Sequence, residues 1–122
     1  MSRIGRLFLL AGLGAALAAP TGSQADEMTW TLKSSYRYRV QVEFYSQSRD
    51  HVWPGGGKAW GLNDYDTHEF ALNCISGEKI CYGAWVTGNS DRYWGVGLND
   101  RHTCSTCCGI CGEDDPEMNL TE

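Results

Sequence analysis

Positive charge is scarce in this sequence, and it is not clustered. The 122 residues include 10 lysines and arginines against 15 aspartates and glutamates, which gives a formal net charge of −5. Binding to nucleic acid or to an anionic membrane surface needs several neighbouring cations, and no stretch of the chain supplies them. We therefore expect no nucleic-acid partner. Five of the acids lie in residues 113–122, and an acidic tail of this kind is predicted to be disordered.

Helical periodicity is missing after residue 25. The segment 30–44 alternates with a period of two, because its odd positions are polar or charged while its even positions carry Trp30, Leu32, Ser34, Tyr36, Tyr38, Val40, Val42 and Phe44. This pattern predicts an antiparallel strand with one face on a core. An unbroken run of this length exceeds the usual length of a strand, so we expect an interruption at Ser34–Ser35.

Four further short strands follow from the same reasoning. They are predicted over residues 58–62, 67–74, 79–86 and 92–98, and glycine-rich or polar turns separate them at 53–57, 63–66 and 87–91. The sequence thus predicts an all-β domain over residues 26–112, a small antiparallel β-sandwich or barrel with a disulfide-linked carboxy-terminal segment at 102–112.

Catalytic motifs are also missing. There is no G-x-S-x-G sequence and no complete calcium-binding loop. The candidate bases are His51, His68 and His102. Asp64 and Asp66 precede His68 closely, but this group is more typical of a polar turn that enters a strand than of an acid–base or metal site. We expect no catalytic activity and no cofactor.

The amino terminus has the features of a cleavable secretory signal. Arg3 and Arg6 precede the apolar run 7–19, which is too short to cross a bilayer. Ser23 and Ala25 suit the positions three and one before a cleavage site. We expect residues 1–25 to be a signal peptide that is removed on export, which leaves a secreted or periplasmic protein with no membrane span.

The six cysteines are grouped unevenly. Four of them lie within the sequence CSTCCGIC, as Cys104, Cys107, Cys108 and Cys111, and the other two are Cys74 and Cys81. An even number of cysteines in a small exported domain predicts structural disulfides. The alternative is a zinc or iron site formed by the four clustered cysteines, with His102 as a substitute ligand. A third possibility is a thiol–disulfide redox centre, although no helix follows that would activate a thiolate.

The spacing of the first two cysteines suggests one pairing. In CISGEKIC, residues 74–81, Gly77–Glu78 suits a two-residue hairpin turn, which would set Cys74 opposite Cys81 at a distance that a disulfide can bridge. We expect this bridge first. The alternative is that each of these two cysteines is bonded to the carboxy-terminal cluster. A bond between the adjacent Cys107 and Cys108 is the least favoured pairing.

Aromatic residues are numerous, with five tryptophans and six tyrosines. Many of them are expected to fill the core of a small β domain. Trp53, Trp60 and Tyr65 adjoin glycine-rich or polar turns and are the candidates for an exposed ligand-binding surface. The function predicted from the sequence is therefore that of a small exported binding or interaction domain, stabilised by disulfides, whose partner is a protein or a carbohydrate.

Overall fold

A computed structural model describes residues 24–121 of the chain. The predicted signal peptide falls outside the described residues, except for Gln24 and Ala25. Within residues 24–121, no helix is long and apolar enough to cross a membrane.

Nine strands and one short 3₁₀ helix form the described chain. The strands are β1 (Ala25–Ser34), β2 (Val40–Ser46), β3 (Val52–Trp53), β4 (Trp60–Leu62), β5 (Thr67–Ile75), β6 (Lys79–Val86), β7 (Asn89–Gly95), β8 (Cys108–Ile110) and β9 (Glu117–Leu120). The 3₁₀ helix spans Leu98–Asp100. The all-β prediction is confirmed, and so is the interruption in the first long alternating segment, which separates β1 from β2.

Two sheets enclose one hydrophobic core. The first has the order β5-β1-β9, and the second has the order β3-β2-β6-β7, with β4 paired to β2 and β8 paired to β6. The alternating positions predicted to face inward do so in both strands that flank the break: Trp30 and Leu32 of β1 and Val42 and Phe44 of β2 have no exposed surface. Burial of these large side chains is the main stabilising contribution in a domain of this size.

The acidic tail is ordered, so the prediction of disorder is wrong. β9 pairs with β1 in parallel, with Thr31 opposite Glu117. It is the one parallel pairing among the described strands. The carboxylates before β9 accept backbone hydrogen bonds, since the Thr29 N–H donates to Asp115 Oδ1 (2.9 Å). Leu120 is buried at the end of β9. The tail combines charges that bind backbone donors with an apolar anchor, and composition alone does not reveal this.

The hairpin predicted for residues 74–81 does not form. β5 pairs with β1, and β6 pairs with β2, so the turn carries the chain from one sheet to the other. A tight turn is present: the Glu78 N–H donates to the Ile75 carbonyl (2.8 Å), and Gly77 adopts φ 86°. A glycine turn permits either a hairpin or a crossing between sheets, and the packing of the two strands decides which one forms.

Three disulfides join the six cysteines. The bridges are Cys74–Cys111, Cys81–Cys108 and Cys104–Cys107. The expected Cys74–Cys81 bond is therefore wrong, because its two residues lie in different sheets. The alternative, in which each of the two reaches the carboxy-terminal cluster, is correct. These two bridges fasten residues 108–111 across both sheets.

The outer face of the second sheet is covered by the 3₁₀ helix. The Tyr45 hydroxyl donates to Glu43 Oε1 (2.8 Å) and accepts a hydrogen bond from the Asn99 N–H (2.9 Å). Burial and the bond to Glu43 raise the pKa of Tyr45. This close packing requires Gly83, because a Cβ there would overlap the Gly97 carbonyl and lie 2.7 Å from Tyr45 Cε2.

Candidate binding cleft

An open cleft of about 790 Å³ lies where the free edge of β5 faces the β3–β4 region of the other sheet. One side is formed by Arg49, His51, Trp53, Pro54 and Trp60, and the other by Gln24, Ala25, Asp26, Ala71, Asn73, Cys74 and Ile75. We call it the tryptophan cleft. Trp53 and Trp60, two of the three aromatic residues predicted from the sequence to bind a ligand, line this cleft.

Trp53 is held in place by strand pairing and by a hydrogen bond. It lies opposite Phe44 in the β2–β3 pair, and its side chain is almost fully buried. Its indole Nε1 donates to the Asn73 carbonyl (2.9 Å). The His51 ring packs edge-on against it at 4.4 Å between ring centroids, and the Arg49 guanidinium carbon lies 5.7 Å from the ring centre. Trp53 therefore belongs to the core while also lining the cleft.

Trp60 is half-buried at the start of β4. Its ring lies 4.9 Å from the Phe70 ring and 5.8 Å from the Phe44 ring. These contacts fix the indole through one part of its surface and leave another part facing the cleft. A rigid aromatic surface of this kind can contact a ligand at a low cost in side-chain entropy.

The third candidate, Tyr65, lies elsewhere. It is 56% exposed, in the loop between β4 and β5, with φ 63°, and it does not line the cleft. His68, at the start of β5, has its Nε2 2.8 Å from Asp64 Oδ1 of this loop, and the Asp66 N–H donates to Asp64 Oδ1 (3.0 Å). These two bonds lower the pKa of Asp64, with His68 making the larger contribution. The arrangement is that of a closed polar turn.

The direction of the backbone groups of β5 follows from its hydrogen bonds. The Ser76 N–H donates to the Gln24 carbonyl (2.8 Å), which sets the even-numbered residues of β5 to bond with β1. The odd-numbered residues then direct their N–H and C=O groups away from β1. The Asn73 carbonyl, which accepts the bond from Trp53, follows this rule.

Part of this outward edge is unpaired. Within residues 24–121, no hydrogen bond joins the outward N–H or C=O of Glu69 or Ala71 to another part of the chain. Ala71 lines the cleft, and its side chain is too small to cover the backbone. A row of unpaired backbone groups beside two indole rings can accept an extended chain as an additional strand.

A buried carboxylate fixes one end of the cleft. Glu78 is 3% exposed and accepts hydrogen bonds from Arg49 Nε (2.6 Å), the Ser46 hydroxyl (2.5 Å) and the Ile75 N–H (2.9 Å). Burial raises the pKa of Glu78, but the hydrogen bonds from Arg49, Ser46 and Ile75 outweigh it, so the pKa is lowered. The carboxylate thus holds Arg49 at the cleft and ties β2 to the turn after β5.

The clustered cysteines proposed as metal ligands are all bonded to sulfur. Cys104 is bonded to Cys107 within one C-x-x-C unit, whereas Cys108 and Cys111 bind cysteines of the sheets. The ring of His102 stacks on Tyr93 at 3.7 Å. Among residues 24–121, no group of three or more His, Cys, Asp and Glu side chains could hold a metal ion.

Comparison with protein-family models, with curated proteins and with solved structures found no match to this chain.

Sequence reasoning missed Arg49, a polar residue that lines the cleft, and Glu78, the buried carboxylate that holds it. Arg49 and Glu78 are 29 positions apart and lie in segments that look like ordinary polar turns. The position of Glu78 between the two predicted apolar strands 67–74 and 79–86 distinguishes it from the other carboxylates. Nothing in the sequence identifies Arg49 as its partner. Asn73 takes part through its backbone carbonyl, which no side-chain pattern can predict.

Proposed function

We propose that this chain is an exported, disulfide-stabilised binding domain without catalytic activity, and that it binds an extended polypeptide segment as an extra strand on the free edge of β5. The observation that carries the proposal is the juxtaposition of the unpaired outward edge at Ala71 with the indoles of Trp53 and Trp60 in one cleft.

Export is supported by the signal-like amino terminus and by the disulfides. Three bridges join all six cysteines. Disulfides persist in oxidising compartments and are rare in the cytosol. We propose that the mature protein is secreted or periplasmic. Cleavage after Ala25 would remove Gln24 and Ala25 from the cleft but would leave Ala71 and both indoles in place.

At Glu69 and Ala71, the edge of β5 lacks the usual protection against strand addition, whereas the Asn73 carbonyl and the Ile75 N–H are already bonded. Edge strands are usually made short, bulged or rich in lysine and proline. β5 has nine residues, pairs with β1 in unbroken register, and contains neither lysine nor proline. In this mode of recognition, backbone hydrogen bonds supply affinity, and pockets for alternate side chains supply specificity. The two indoles supply apolar surface for such side chains.

The test is a proline substitution that removes one outward donor. Because the N–H of Ala71 points away from β1, A71P leaves the β1–β5 hydrogen bonds in place. The matched control is T67P, which changes an equivalent outward residue at the far end of β5, outside the cleft. The probe is a library of twelve-residue peptides displayed on phage and selected against the immobilised wild-type protein.

We expect selected peptides that bind wild type and T67P alike and that lose at least tenfold in affinity for A71P. Methylation of alternate backbone nitrogens in those peptides should have the same effect. Selection of no peptide, or of peptides that bind A71P equally well, would refute the proposal. A homodimer that A71P dissociates would assign the edge to a second copy of this chain instead.

The metal and redox alternatives are tested by intact mass. Three disulfides give a deficit of about 6 Da relative to the reduced chain. Free thiols with bound zinc or iron would favour the metal-binding alternative, and a bridge that glutathione readily reduces in the folded protein would favour the redox alternative.

A further inference from the structure

A second surface, on the opposite edge of the two sheets from the tryptophan cleft, alternates cations with aromatic rings. It consists of Arg37, Tyr38, Tyr36, Arg92 and Trp94, and we call it the arginine–aromatic surface. From this surface we infer a second binding function that does not depend on the first: it recognises an acidic polysaccharide whose sugars carry carboxylates.

The five side chains form a continuous series of contacts. The Arg37 guanidinium carbon lies 5.3 Å from the centre of the Tyr38 ring, and the Tyr38 and Tyr36 rings are 5.8 Å apart. Arg92 lies 5.1 Å from the Tyr36 ring and 5.9 Å from the Trp94 ring. Trp94 packs edge-on against Tyr36 at 5.2 Å. Such contacts hold the guanidinium groups in place without neutralising their charge.

Within residues 24–121, neither Arg37 nor Arg92 has an ion-pair partner. The ion pairs within residues 24–121 are Arg49–Glu78 and Asp64–His68, and neither involves Arg37 or Arg92. Asp91 adjoins Arg92 in sequence and lines the same shallow concavity as Arg92 and Trp94, but the two side chains form no ion pair. A guanidinium without a carboxylate partner favours bidentate binding of an external carboxylate.

The aromatic rings indicate which groups the ligand carries besides its carboxylate. Tyr38 is 56% exposed, and Trp94 is fixed from behind because its Nε1 donates to the Thr121 carbonyl (2.6 Å). Exposed ring faces bind apolar C–H surface and, by their quadrupole, favour positively polarised groups. A pyranose with a carboxylate offers a C–H face for the ring and an anion for the arginine in each unit. Nucleic acid fits less well, since its dense phosphate charge requires more cations than this acidic chain provides.

The test measures binding of alginate, a polymer of uronic acids, by isothermal titration calorimetry at low salt. The main variant is R37Q with R92Q, and Y38A tests the ring at an exposed position where folding is not at risk. R101Q is the matched control, because Arg101 is an exposed arginine on another surface. Alginate should bind the wild type and R101Q alike and should bind the double variant at least about tenfold more weakly, with Y38A also weakened.

Three competitors decide the ligand class. Dextran has no charge, polyglutamate has carboxylates without sugars, and an oligothymidine strand has phosphates and stacking bases. All three should bind at least about tenfold more weakly than alginate. Equal binding of dextran or polyglutamate, tighter binding of the oligonucleotide, or no heat with alginate would overturn the inference. Retention of alginate binding by A71P would show that the two surfaces act separately.

Discussion

The two long disulfides are nested, so the stabilisation that each one gives should depend on whether the other is present. Cys81–Cys108 lies inside the loop that Cys74–Cys111 closes, with sequence separations of 27 and 37. With one bridge intact, the other closes a ring of only about ten residues, because seven positions separate the first cysteines and three the last. The chain-entropy relation assigns about 2.7 kcal/mol to such a ring and about 3.7 kcal/mol to either long loop alone.

Replacing either bridge by alanines should therefore reduce the free energy of unfolding by about 2.7 kcal/mol, and replacing both by about 6.4 kcal/mol. The double loss exceeds the sum of the single losses by about 1 kcal/mol. The Cys104–Cys107 bridge spans a separation of 3, and its removal should cost about 1.6 kcal/mol.

The assay is urea unfolding at 25 °C, with the same concentration of sucrose for every variant so that the weakest one remains folded without denaturant. Loss of packing around the buried sulfurs adds to each single variant, and the two losses sum in the double variant, so they cancel from the coupling of about 1 kcal/mol. Strictly additive losses, or a larger loss from Cys104–Cys107 than from either long bridge, would refute the nested-loop reasoning.

Three further predictions concern single side chains. E78Q should lower stability by about 2 kcal/mol, because the buried charge that Arg49 and two other donors share is lost. Folding lowers the pKa of Glu78, so the stability that this carboxylate gives the fold is complete above its unfolded pKa of about 4.3 and is lost as pH falls below that value. Calorimetry from pH 6 to 3 should therefore show a shallower fall in Tm for E78Q than for the wild type. Parallel curves would contradict this. G83A should cost about 3 kcal/mol or more in urea unfolding, because its methyl group overlaps the Gly97 carbonyl; a neutral effect would contradict the packing described. L120A should cost about 3 kcal/mol by the same assay, whereas a disordered tail would tolerate it without loss.

Local patterns predicted the strands better than their partners. The alternation over residues 30–44 identified both β1 and β2 and the break between them, since side-chain direction depends only on neighbouring residues. The glycine turn at Gly77 was identified as a turn, but which strands flank it in a sheet depends on residues far away in sequence. The Cys74–Cys81 pairing was wrong because it assumed that the two strands beside this turn pair with each other.

Two of the residues that line the cleft were selected from the sequence, and their role in ligand binding stays a prediction. Trp53 and Trp60 were selected because large rings stood beside turns, and they do share one cleft, whereas Tyr65 met the same criterion and lies apart. The arginine–aromatic surface was not predicted, because Arg37 and Arg92 are distant in sequence and form no cluster of charge there. Its members are brought together by the loop between β1 and β2 and by the edge strand β7.

β1, the central strand of the first sheet, is synthesised before its two partners, and its pairing with β9 is the last that can form. β1 lies between β5 and β9, so its final partner is synthesised about 85 residues after it. The sheet cannot close while the ribosome is still translating residues 117–120, and long-range pairing of this kind is slow. Until residues 117–120 have been synthesised, β1 therefore has one unpaired edge.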